Sequence, residues 1–293
     1  MIRVSKARLA YMWFNDVILI MLAVLCLLPL IHVFALSFSN KSAAAAGYVK
    51  LLPVQATVES YLYVFQREAF WNAFTVTLLR VAAGGAINLV LTVLTAYPLS
   101  KESSRFPGRT MYVWIFFFSM LFYGGLIPTY MLISKLKLLD TIWALVLPGA
   151  VPVFSVVLML NFFRQVPIEL EEAALIDGAN HFTTVFLIYI PVSLPSIATI
   201  LLFSVVGHWN SWFDGLIYAN FPYNYPLQSY LQTVVVMRDL TRLTADEWKN
   251  LSQISDRTVK AAQIFMGALP ILCVYPFLQR YFIKGIVVGS VKG

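Results

Sequence analysis

The sequence predicts an all-α membrane protein in which six helices cross the bilayer. Of its 293 residues, 60% are hydrophobic and only 12% are charged, whereas about a quarter of the residues in a soluble globular domain are charged. The mean hydropathy of +0.77 agrees with this class. Six windows contain no Asp, Glu, Lys or Arg, and each approaches the roughly 20 apolar residues that a helix needs to cross the hydrocarbon core.

The windows are distributed along the whole chain: Val17–Phe38, Val81–Pro98, Thr110–Ile133, Thr141–Phe163, Phe182–Val206 and Ala261–Gln279. Their continuous apolar runs favour helices over the alternating strands of a membrane barrel. The second helix is expected to begin near Ala73, which places Arg80 inside it. Prolines within the windows predict kinks. The pairs Gly84-Gly85 and Gly124-Gly125 predict close approach of neighbouring backbones.

The basic residues indicate the orientation of the chain rather than a nucleic-acid surface. The net charge is +7, and in so apolar a chain Lys and Arg are best interpreted as topology signals. Arg3, Lys6 and Arg8 precede the first window, and no acidic residue comes before Asp16, which favours a cytoplasmic amino terminus. A cleaved signal peptide is the alternative for this segment, but its apolar run of about 22 residues exceeds the usual 7–15. We therefore expect a retained first helix and both termini in the cytoplasm.

The two cysteines, Cys26 and Cys273, both lie inside apolar windows. This position favours buried small side chains over metal ligands or a disulfide.

The loop between the fourth and fifth windows, Arg164–His181, differs from the others. Pro167 suits the first turn of a helix, and three acidic residues follow where the helix dipole favours negative charge, namely Glu169, Glu171 and Glu172. A small apolar face repeats at helical spacing in Leu170, Ala173 and Ala174. Gly178 would end the helix in a tight turn. The acidic edge makes a protein partner a better interpretation than contact with an anionic leaflet.

One spacing in this loop is specific. Glu172-Ala173-Ala174 is followed after three residues by Gly178, and after nine more by Ile188-Tyr189-Ile190-Pro191. This pattern resembles the EAA motif of the permease subunits of bacterial ABC importers, with Ile190 where leucine is usual. The longer segment Leu170–Ala179 resembles the carbohydrate-uptake class, the group of the maltose permeases. Further similarity runs from about Phe70 to the end of the chain.

The resemblance implies that the loop is a cytoplasmic coupling helix docked in a cleft of an ATPase subunit. Glu172 and Asp177 are the expected polar anchors. Ala173 and Ala174 would allow close packing, and Gly178 would set the turn. The full set of coupling residues is Glu171, Glu172, Ala173, Ala174, Asp177, Gly178 and Ala179. It also implies a contact of the carboxyl tail, Gly289–Gly293, with the ATPase, a frayed terminus being the alternative. The expected organisation is a tail over residues 1–16, a permease domain over 17–284 with its coupling loop at 164–181, and a tail over 285–293.

The same resemblance implies a complex in the bacterial inner membrane. The expected protein partners are a second homologous permease subunit, two ATPase subunits and an extracytoplasmic solute-binding protein. The expected substrate is an oligosaccharide, with an importer of acidic, alginate-type saccharides as one member that the chain resembles. In maltose-type systems the other permease holds most of the sugar, which implies limited substrate contact for this subunit.

Other function classes find little support in the sequence. There is no Gly-x-x-x-x-Gly-Lys-Ser/Thr pattern, so ATP and magnesium are expected on the partner ATPase and no cofactor in this chain. His32, His181 and His208 are too dispersed to predict a metal site. An intramembrane serine hydrolase would need a facing serine and histidine, and no catalytic residue is predicted. A secondary-active carrier is the alternative transporter, but it would normally show intramembrane carboxylates, which the windows lack.

Polar and aromatic side chains in or near the windows are candidates for the substrate path, because sugar sites combine aromatic rings with hydrogen-bonding groups. The candidates are Arg80, Asn88, Tyr123, Trp143, Trp209 and Trp212. Interfacial anchoring explains the aromatic residues equally well. Arg80 has its own alternative, since it could extend to the headgroups.

The segment Gly207–Lys260 is rich in aromatic residues interspersed with polar and charged ones, a composition typical of recognition surfaces. Its tyrosines are candidate contacts for the binding protein, namely Tyr218, Tyr223 and Tyr225.

The orientation is testable with single cysteines in a variant whose two native cysteines are replaced by alanine. An impermeant thiol reagent added to intact cells should leave cysteines at Ser103 and Asn180 unlabelled, because both loops are expected in the cytoplasm. A cysteine at Asn224 should react. Labelling of the Ser103 position from outside would reverse the topology.

Overall fold

The apolar windows fold as helices, and three of them are broken. The computed structural model describes residues 6–236 and 256–290. Within these ranges no β-strand occurs, and the α-helices are α1 (Lys6–Ser37), α2 (Lys41–Ala45), α3 (Glu59–Phe65), α4 (Glu68–Ser100), α5 (Arg109–Leu121), α6 (Leu126–Lys135), α7 (Ile142–Val146), α8 (Val153–Phe163), α9 (Ile168–Ile176), α10 (His181–Thr184), α11 (Ile190–Val192), α12 (Leu194–Asn210), α13 (Phe213–Tyr218), α14 (Leu227–Leu231) and α15 (Asp256–Ser290). Short 3₁₀ turns lie at Leu147–Gly149 and Pro222–Asn224, and π-helical segments at Val185–Tyr189 and Gln232–Val236.

The expected all-helical architecture is confirmed, with irregular spans. Helices α1, α4 and the Arg257–Val274 part of α15 are long and apolar enough to cross a membrane. The other windows are helix pairs bent by 110° between α5 and α6, by 50° between α7 and α8, and by 87° before α12. Within the described ranges the chain therefore has three such helices, or up to six spans if each bent pair counts as one.

The breaks lie where the backbone cannot continue a helix. Gly125, between α5 and α6, has a φ of +92°, a conformation that glycine adopts without steric cost. The expectation that Gly124-Gly125 permits close helix packing is therefore wrong, because this pair forms the break itself. Pro152 and Pro195 follow the other two breaks, since proline lacks the amide hydrogen and disfavours helical geometry in the residue before it.

The helices also extend beyond the predicted windows. The second begins at Glu68, so Arg80 lies inside it as expected. Helix α1 begins at Lys6 rather than near Val17, and α15 continues to Ser290. Cys26 and Cys273 are free but exposed. The prediction that they are buried is wrong, because on helices of this apolar composition outward-facing positions are as apolar as inward ones.

The described residues form two compact units. One contains residues 6–70, 231–236 and 256–269, and the other contains 71–230 and 270–290.

In the first unit, the end of α1 packs against α3 and the first part of α15. The rings of Phe34 and Phe265 lie 5.1 Å apart, and the Ser60 hydroxyl donates to Thr258 Oγ1 at 2.9 Å. Most of α1 has no buried residue. An apolar helix whose side chains are mostly exposed is suited to lipid or to another membrane subunit.

In the second unit, a core joins α4 and α8 to the helices of the fifth window. Its buried members include Val93, Ala96, Tyr97, Val156, Met159, Phe163, Tyr189 and Ile200. Helix α4 also lies against α12 at Gly84, where a Cβ atom would come within 2.6 Å of the His208 ring. The prediction of close approach at Gly84-Gly85 is thus confirmed for its first residue. At Gly85 the nearest atom to such a Cβ is Leu201 Cδ1 at 3.8 Å.

These adjacent glycines make a matched pair of variants. Gly84→Ala should destabilise the protein by about 1–3 kcal/mol, because a methyl group cannot be added against a buried ring without displacement. Gly85→Ala should be neutral or stabilising by up to about 1 kcal/mol, because alanine favours the helix and has room. The midpoint of thermal unfolding in detergent measures both. Equal shifts for the two variants would contradict the observed packing.

Candidate functional site

A cavity of about 840 Å³ opens in the second unit between α4, the bent third and fourth spans, and α12. Its wall combines apolar side chains with a small polar cluster, whose members are Arg80, Asn88, Ser155, Ser204, His208, Ser211 and Asp214. A mostly apolar pocket with a few convergent polar groups is the usual form of a small-molecule site.

Arg80 is the most buried charge of this cluster. Its residue is 3% exposed, and its guanidinium forms an ion pair with Asp214 through both carboxylate oxygens, with Nη1 to Oδ1 at 3.1 Å. Asp214 also accepts from the Ser211 hydroxyl and the Gly215 amide, each at 2.9 Å. A bidentate pair of this kind fixes both partners. The alternative in which Arg80 extends to the headgroups is therefore wrong.

His208 links this ion pair to Asn88. Arg80 Nε faces His208 Nδ1 at 3.4 Å, and because the guanidinium can only donate, Nδ1 carries no proton. Asn88 satisfies its neighbours when its amide nitrogen faces the Gly84 carbonyl and its oxygen accepts from Ser204 Oγ at 3.1 Å. That oxygen then also faces His208 Nε2, 3.4 Å away. The proton of a neutral imidazole therefore lies on Nε2.

The other path candidates are more dispersed. Tyr123 is 75% exposed and lines the cavity. Trp209 is buried and packs edge-on against Phe74, while Trp143 and Trp212 are partly exposed away from the described cavity wall. The structure thus brings Arg80, Asn88 and Tyr123 to one cavity and leaves the three tryptophans outside it.

The polar cluster can bind hydroxyl groups but offers no unpaired charge. The charges of Arg80 and Asp214 cancel, and His208 is neutral by its hydrogen bonds. Hydroxyl, amide and carboxylate groups around an apolar cavity provide both donors and acceptors. Within the described ranges, no group of three or more His, Cys, Asp or Glu side chains is arranged to hold a metal.

The predicted loop helix is α9, Ile168–Ile176, and it follows Pro167 directly. Its end is a Schellman motif: the Gly178 amide donates to the Leu175 carbonyl at 3.1 Å and the Ala179 amide to the Ala174 carbonyl at 2.9 Å. Gly178 has a φ of +81°, the left-handed conformation, and it forms the tight turn expected at this position. The turn fixes where the helix stops.

One side of α9 faces solvent. Glu172, Ala173, Asp177 and Gly178 are exposed, whereas Ala174 and Ala179 are half-buried. The most exposed apolar side chain there is Ile176, at 86%. Sequence reasoning missed Ile176, although its place directly before the Asp-Gly turn is a recognisable feature. The exposed side offers an apolar contact between two carboxylates, Glu172 and Asp177.

Glu171 points the other way. It is 2% exposed, and its Oε2 accepts from Lys101 Nζ at 2.6 Å and from the Tyr189 hydroxyl at 2.7 Å. Burial raises the pKa of the Glu171 carboxyl, but the hydrogen bonds from Lys101 and Tyr189, together with the charges of Lys101 and Arg105, outweigh it and hold the pKa below its usual range. Glu171 is therefore a carboxylate at neutral pH.

Lys101, the partner of Glu171, is enclosed by aromatic rings. Its Nζ lies 3.9 Å from the Tyr97 ring centroid and 4.2 Å from that of Tyr189, and it donates to the Tyr189 hydroxyl at 2.8 Å. Sequence reasoning missed Lys101 and used Tyr189 only as part of a motif. Nothing in a single sequence pairs residues 101 and 171, which come together only through tertiary structure.

The tyrosines expected to contact a binding protein differ in exposure. Tyr218 is buried, Tyr225 is half-buried, and Tyr223 is 60% exposed and stacked on Phe221 with ring centroids 5.5 Å apart. Residues 237–255 of the same predicted surface lie outside the described residues, as do 291–293 of the expected tail contact.

The loop that carries Phe221 and Tyr223 is held by Asp140. The Asp140 carboxylate accepts from the backbone and side-chain nitrogens of Asn220, both at 2.6 Å. The Asn224 amide donates to the Asp140 carbonyl at 3.2 Å. The aromatic pair is thus presented on a fixed turn.

Comparison with known proteins identifies the family. The family described as "Binding-protein-dependent transport system inner membrane component" matches residues 89–288. Protein LplC of Bacillus subtilis strain 168 is 41% identical over 267 residues, which is 91% of this chain and 90% of that protein. The polygalacturonan/rhamnogalacturonan transport system permease protein YtcP of the same organism is 37% identical over 275 residues, 94% of this chain and 96% of that protein.

A solved structure agrees. A chain from the crystal structure of a bacterial ABC transporter involved in the import of the acidic polysaccharide alginate is 32% identical, with a TM-score of 0.89 over 96% of this chain and 100% of that chain. The resemblance inferred from the Glu172–Gly178 spacing is therefore confirmed. The chain belongs to the family of inner membrane components of binding-protein-dependent transport systems, and it is a non-catalytic permease subunit of an ABC importer.

Proposed function

We propose that this chain forms half of the translocation path for an oligosaccharide and couples that path to ATP hydrolysis by a separate ATPase subunit. The observation that carries the proposal is α9. This helix has a fixed end and an exposed side with an apolar residue between carboxylates, and its inward side is held by buried polar contacts. A rigid exposed helix of this kind is suited to docking a second protein.

A saccharide is the substrate that best fits both the relatives and the cavity. One relative's name specifies polygalacturonan and rhamnogalacturonan, and the similar solved transporter imports the acidic polysaccharide alginate. The cavity supplies donors and acceptors suited to hydroxyl groups. Because Arg80 is already paired with Asp214, we propose that this subunit contacts the hydroxyls of an acidic oligosaccharide rather than its carboxylates.

The proposed complex contains a second homologous permease, two ATPase subunits that bind ATP and magnesium, and an extracytoplasmic binding protein. In this arrangement both termini and α9 face the cytoplasm, and the loop with Tyr223 faces outside. A contact of the carboxyl tail Gly289–Gly293 with the ATPase is part of the same proposal.

Co-purification tests the proposal directly. The chain, extracted in mild detergent from its native membrane, should carry an ATPase and a second permease. The complex in proteoliposomes should import oligosaccharide only with ATP inside and binding protein outside. A chain that purifies without an ATPase and transports on an ion gradient would instead be a secondary-active carrier, and the proposal would fail.

Gly178 provides a specific test of coupling. Gly178→Val should abolish most ATP-dependent uptake, because a branched side chain is strained at a φ of +81° and the turn after α9 would move. Gly47→Val is the matched control: Gly47 has a φ of +75° and equally open surroundings, but it follows α2 in the first unit, whereas α9 belongs to the second. Membrane insertion should be normal for both variants.

The expected contrast lies in uptake per assembled complex. Loss with Gly178→Val alone supports the coupling role of the turn. Equal loss with Gly47→Val would indicate that backbone strain, and not the position of α9, causes the defect.

Recognition of the binding protein is tested at the stacked pair on the loop held by Asp140. The double variant Phe221→Ser/Tyr223→Ser should weaken the apparent affinity for binding protein by about 5–30-fold, the usual range when aromatic contact residues are removed. ATP hydrolysis without binding protein should be unchanged. Tyr48→Ser is the control, since Tyr48 is also exposed, at 73%, but lies in the first unit. A parallel loss of basal hydrolysis would identify the loop as a folding element instead.

A further inference from the structure

Two consecutive glutamates of α9 face opposite environments. The Glu172 side chain is 52% exposed and pairs with Arg105 at 2.7 Å. The Glu171 side chain is 3% exposed and pairs with Lys101 at 2.6 Å. An exposed ion pair contributes little to a fixed geometry, whereas a buried pair with satisfied hydrogen bonds constrains both partners strongly. Arg105 Nη1 also lies 3.9 Å from Glu171 Oε1, so Arg105 contacts both carboxylates. Of the two glutamates, only Glu172 is exposed enough to contact a docked protein.

The buried pair joins three elements at one point. Lys101 follows the end of α4, Glu171 lies in α9, and Tyr189 ends the π-helical segment of the fifth window. Lys101 Nζ, the Glu171 Oε2 atom and the Tyr189 hydroxyl form a triangle of contacts of 2.6, 2.7 and 2.8 Å. Because each group contacts the other two, displacement of any one of the three elements breaks two of the three contacts.

Aromatic rings pack against this triangle. The Tyr189 ring meets Tyr97 of α4 edge-on at 5.0 Å and Phe163 of α8 at 5.3 Å. The Tyr97 hydroxyl lies 3.1 Å from His181 Nδ1, at the start of α10. These rings cover one side of the charged pair, while Lys101, Glu171 and Tyr189 also line an open cavity of about 860 Å³.

Two of the elements joined at this triangle, α4 and the fifth window, also contribute residues to the cavity. Helix α4 carries Arg80 and Asn88, one to two dozen residues before Lys101. The fifth window carries His208 on α12, beyond the bend that follows Tyr189. At about 1.5 Å per residue, α4 extends roughly 20 Å from Asn88 to Lys101. The triangle and the polar cluster of the cavity thus lie at different positions along α4 and along the fifth window.

We infer that Glu171 is a positioning residue that ties the α9 helix to α4 and to the fifth span, so that displacement of α9 by a docked ATPase moves the walls of the cavity. This inference deepens the proposed function and depends on it. Glu172 and Ile176 would contact the docked partner. Glu171 would attach α9 to the membrane helices. Removing the attachment should uncouple hydrolysis from transport without preventing docking.

The decisive measurement is the number of ATP molecules hydrolysed for each oligosaccharide imported by the reconstituted complex. Glu171→Gln keeps the size of the side chain and removes its charge. It should leave the complex assembled and hydrolysis within about twofold of the wild type, while the ATP consumed per import rises at least fivefold. Glu102→Gln is the matched control, because Glu102 directly follows Lys101 but is exposed and lies outside α9, and its ratio should equal that of the wild type.

Conservative changes at the other two corners separate positioning from simple stability. Lys101→Arg keeps the charge and should retain more coupling than Lys101→Met. Tyr189→Phe removes a single hydroxyl and should raise the ratio moderately. In the double variant Glu171→Gln/Tyr189→Phe, the rise in ATP consumed per import should be smaller than the product of the two single rises. The reason is that both changes disrupt the same triangle.

Each outcome bears on a distinct claim. An unchanged ratio in an assembled Glu171→Gln complex overturns the inference and leaves the proposed function intact. If the Glu171→Gln complex does not assemble, the test passes to Tyr189→Phe, Lys101→Arg and Lys101→Met. If these variants assemble and consume as much ATP per import as the wild type, the inference is overturned as well. If the wild-type chain itself hydrolyses no ATP with its partners, the proposed function fails first.

Discussion

Burying charge among apolar helices requires a partner for each charge, and this constraint organises the second unit. An unpaired ion in such surroundings is several kcal/mol less favourable than in water. The chain satisfies Arg80 with Asp214, 134 residues later, and Lys101 with Glu171, 70 residues later. Both cations belong to α4 or its end, and both carboxylates belong to segments outside the regular spans. Arg80 of α4 therefore holds α13 through Asp214, and Lys101, just after the end of α4, holds α9 through Glu171.

The long helices and the loop motif could be predicted from the sequence because they depend on local properties. Composition defines the apolar windows. Pro167 and Gly178 predict the start and the end of the helix between them, and α9 begins and ends there. The bends were only half predictable. Prolines indicated kinks, but Gly124-Gly125 fits close packing and chain reversal equally well, and only the surrounding structure decides between them.

The polar contacts were not predictable, because they depend on which distant segments meet. Arg80 within an apolar run is equally compatible with an exposed and a paired position, and Asp214 lies outside every window. Glu171 and Glu172 are the same residue type in adjacent positions, yet one is 2% exposed and the other is largely exposed. A helix places neighbours about 100° apart, so their roles depend on what lies beside α9, which a single sequence does not contain. The sequence offers His208 only as a possible metal ligand, whereas in the structure its ring packs against Gly84 and faces Arg80 and Asn88.

The cancelled charges of the cavity have an electrical consequence. Arg80 and Asp214 are paired and His208 is neutral through its hydrogen bonds, so the described cavity wall carries no net charge. The charge that this cavity would hold is then the charge of the solute. A neutral saccharide would cross without electrical work, whereas each carboxylate carried inward against an inside-negative potential requires about 2.3 kcal/mol per 100 mV. For a polyanionic oligosaccharide this opposing work grows with chain length, which gives a physical reason why its uptake depends on a primary energy source and not on the potential itself.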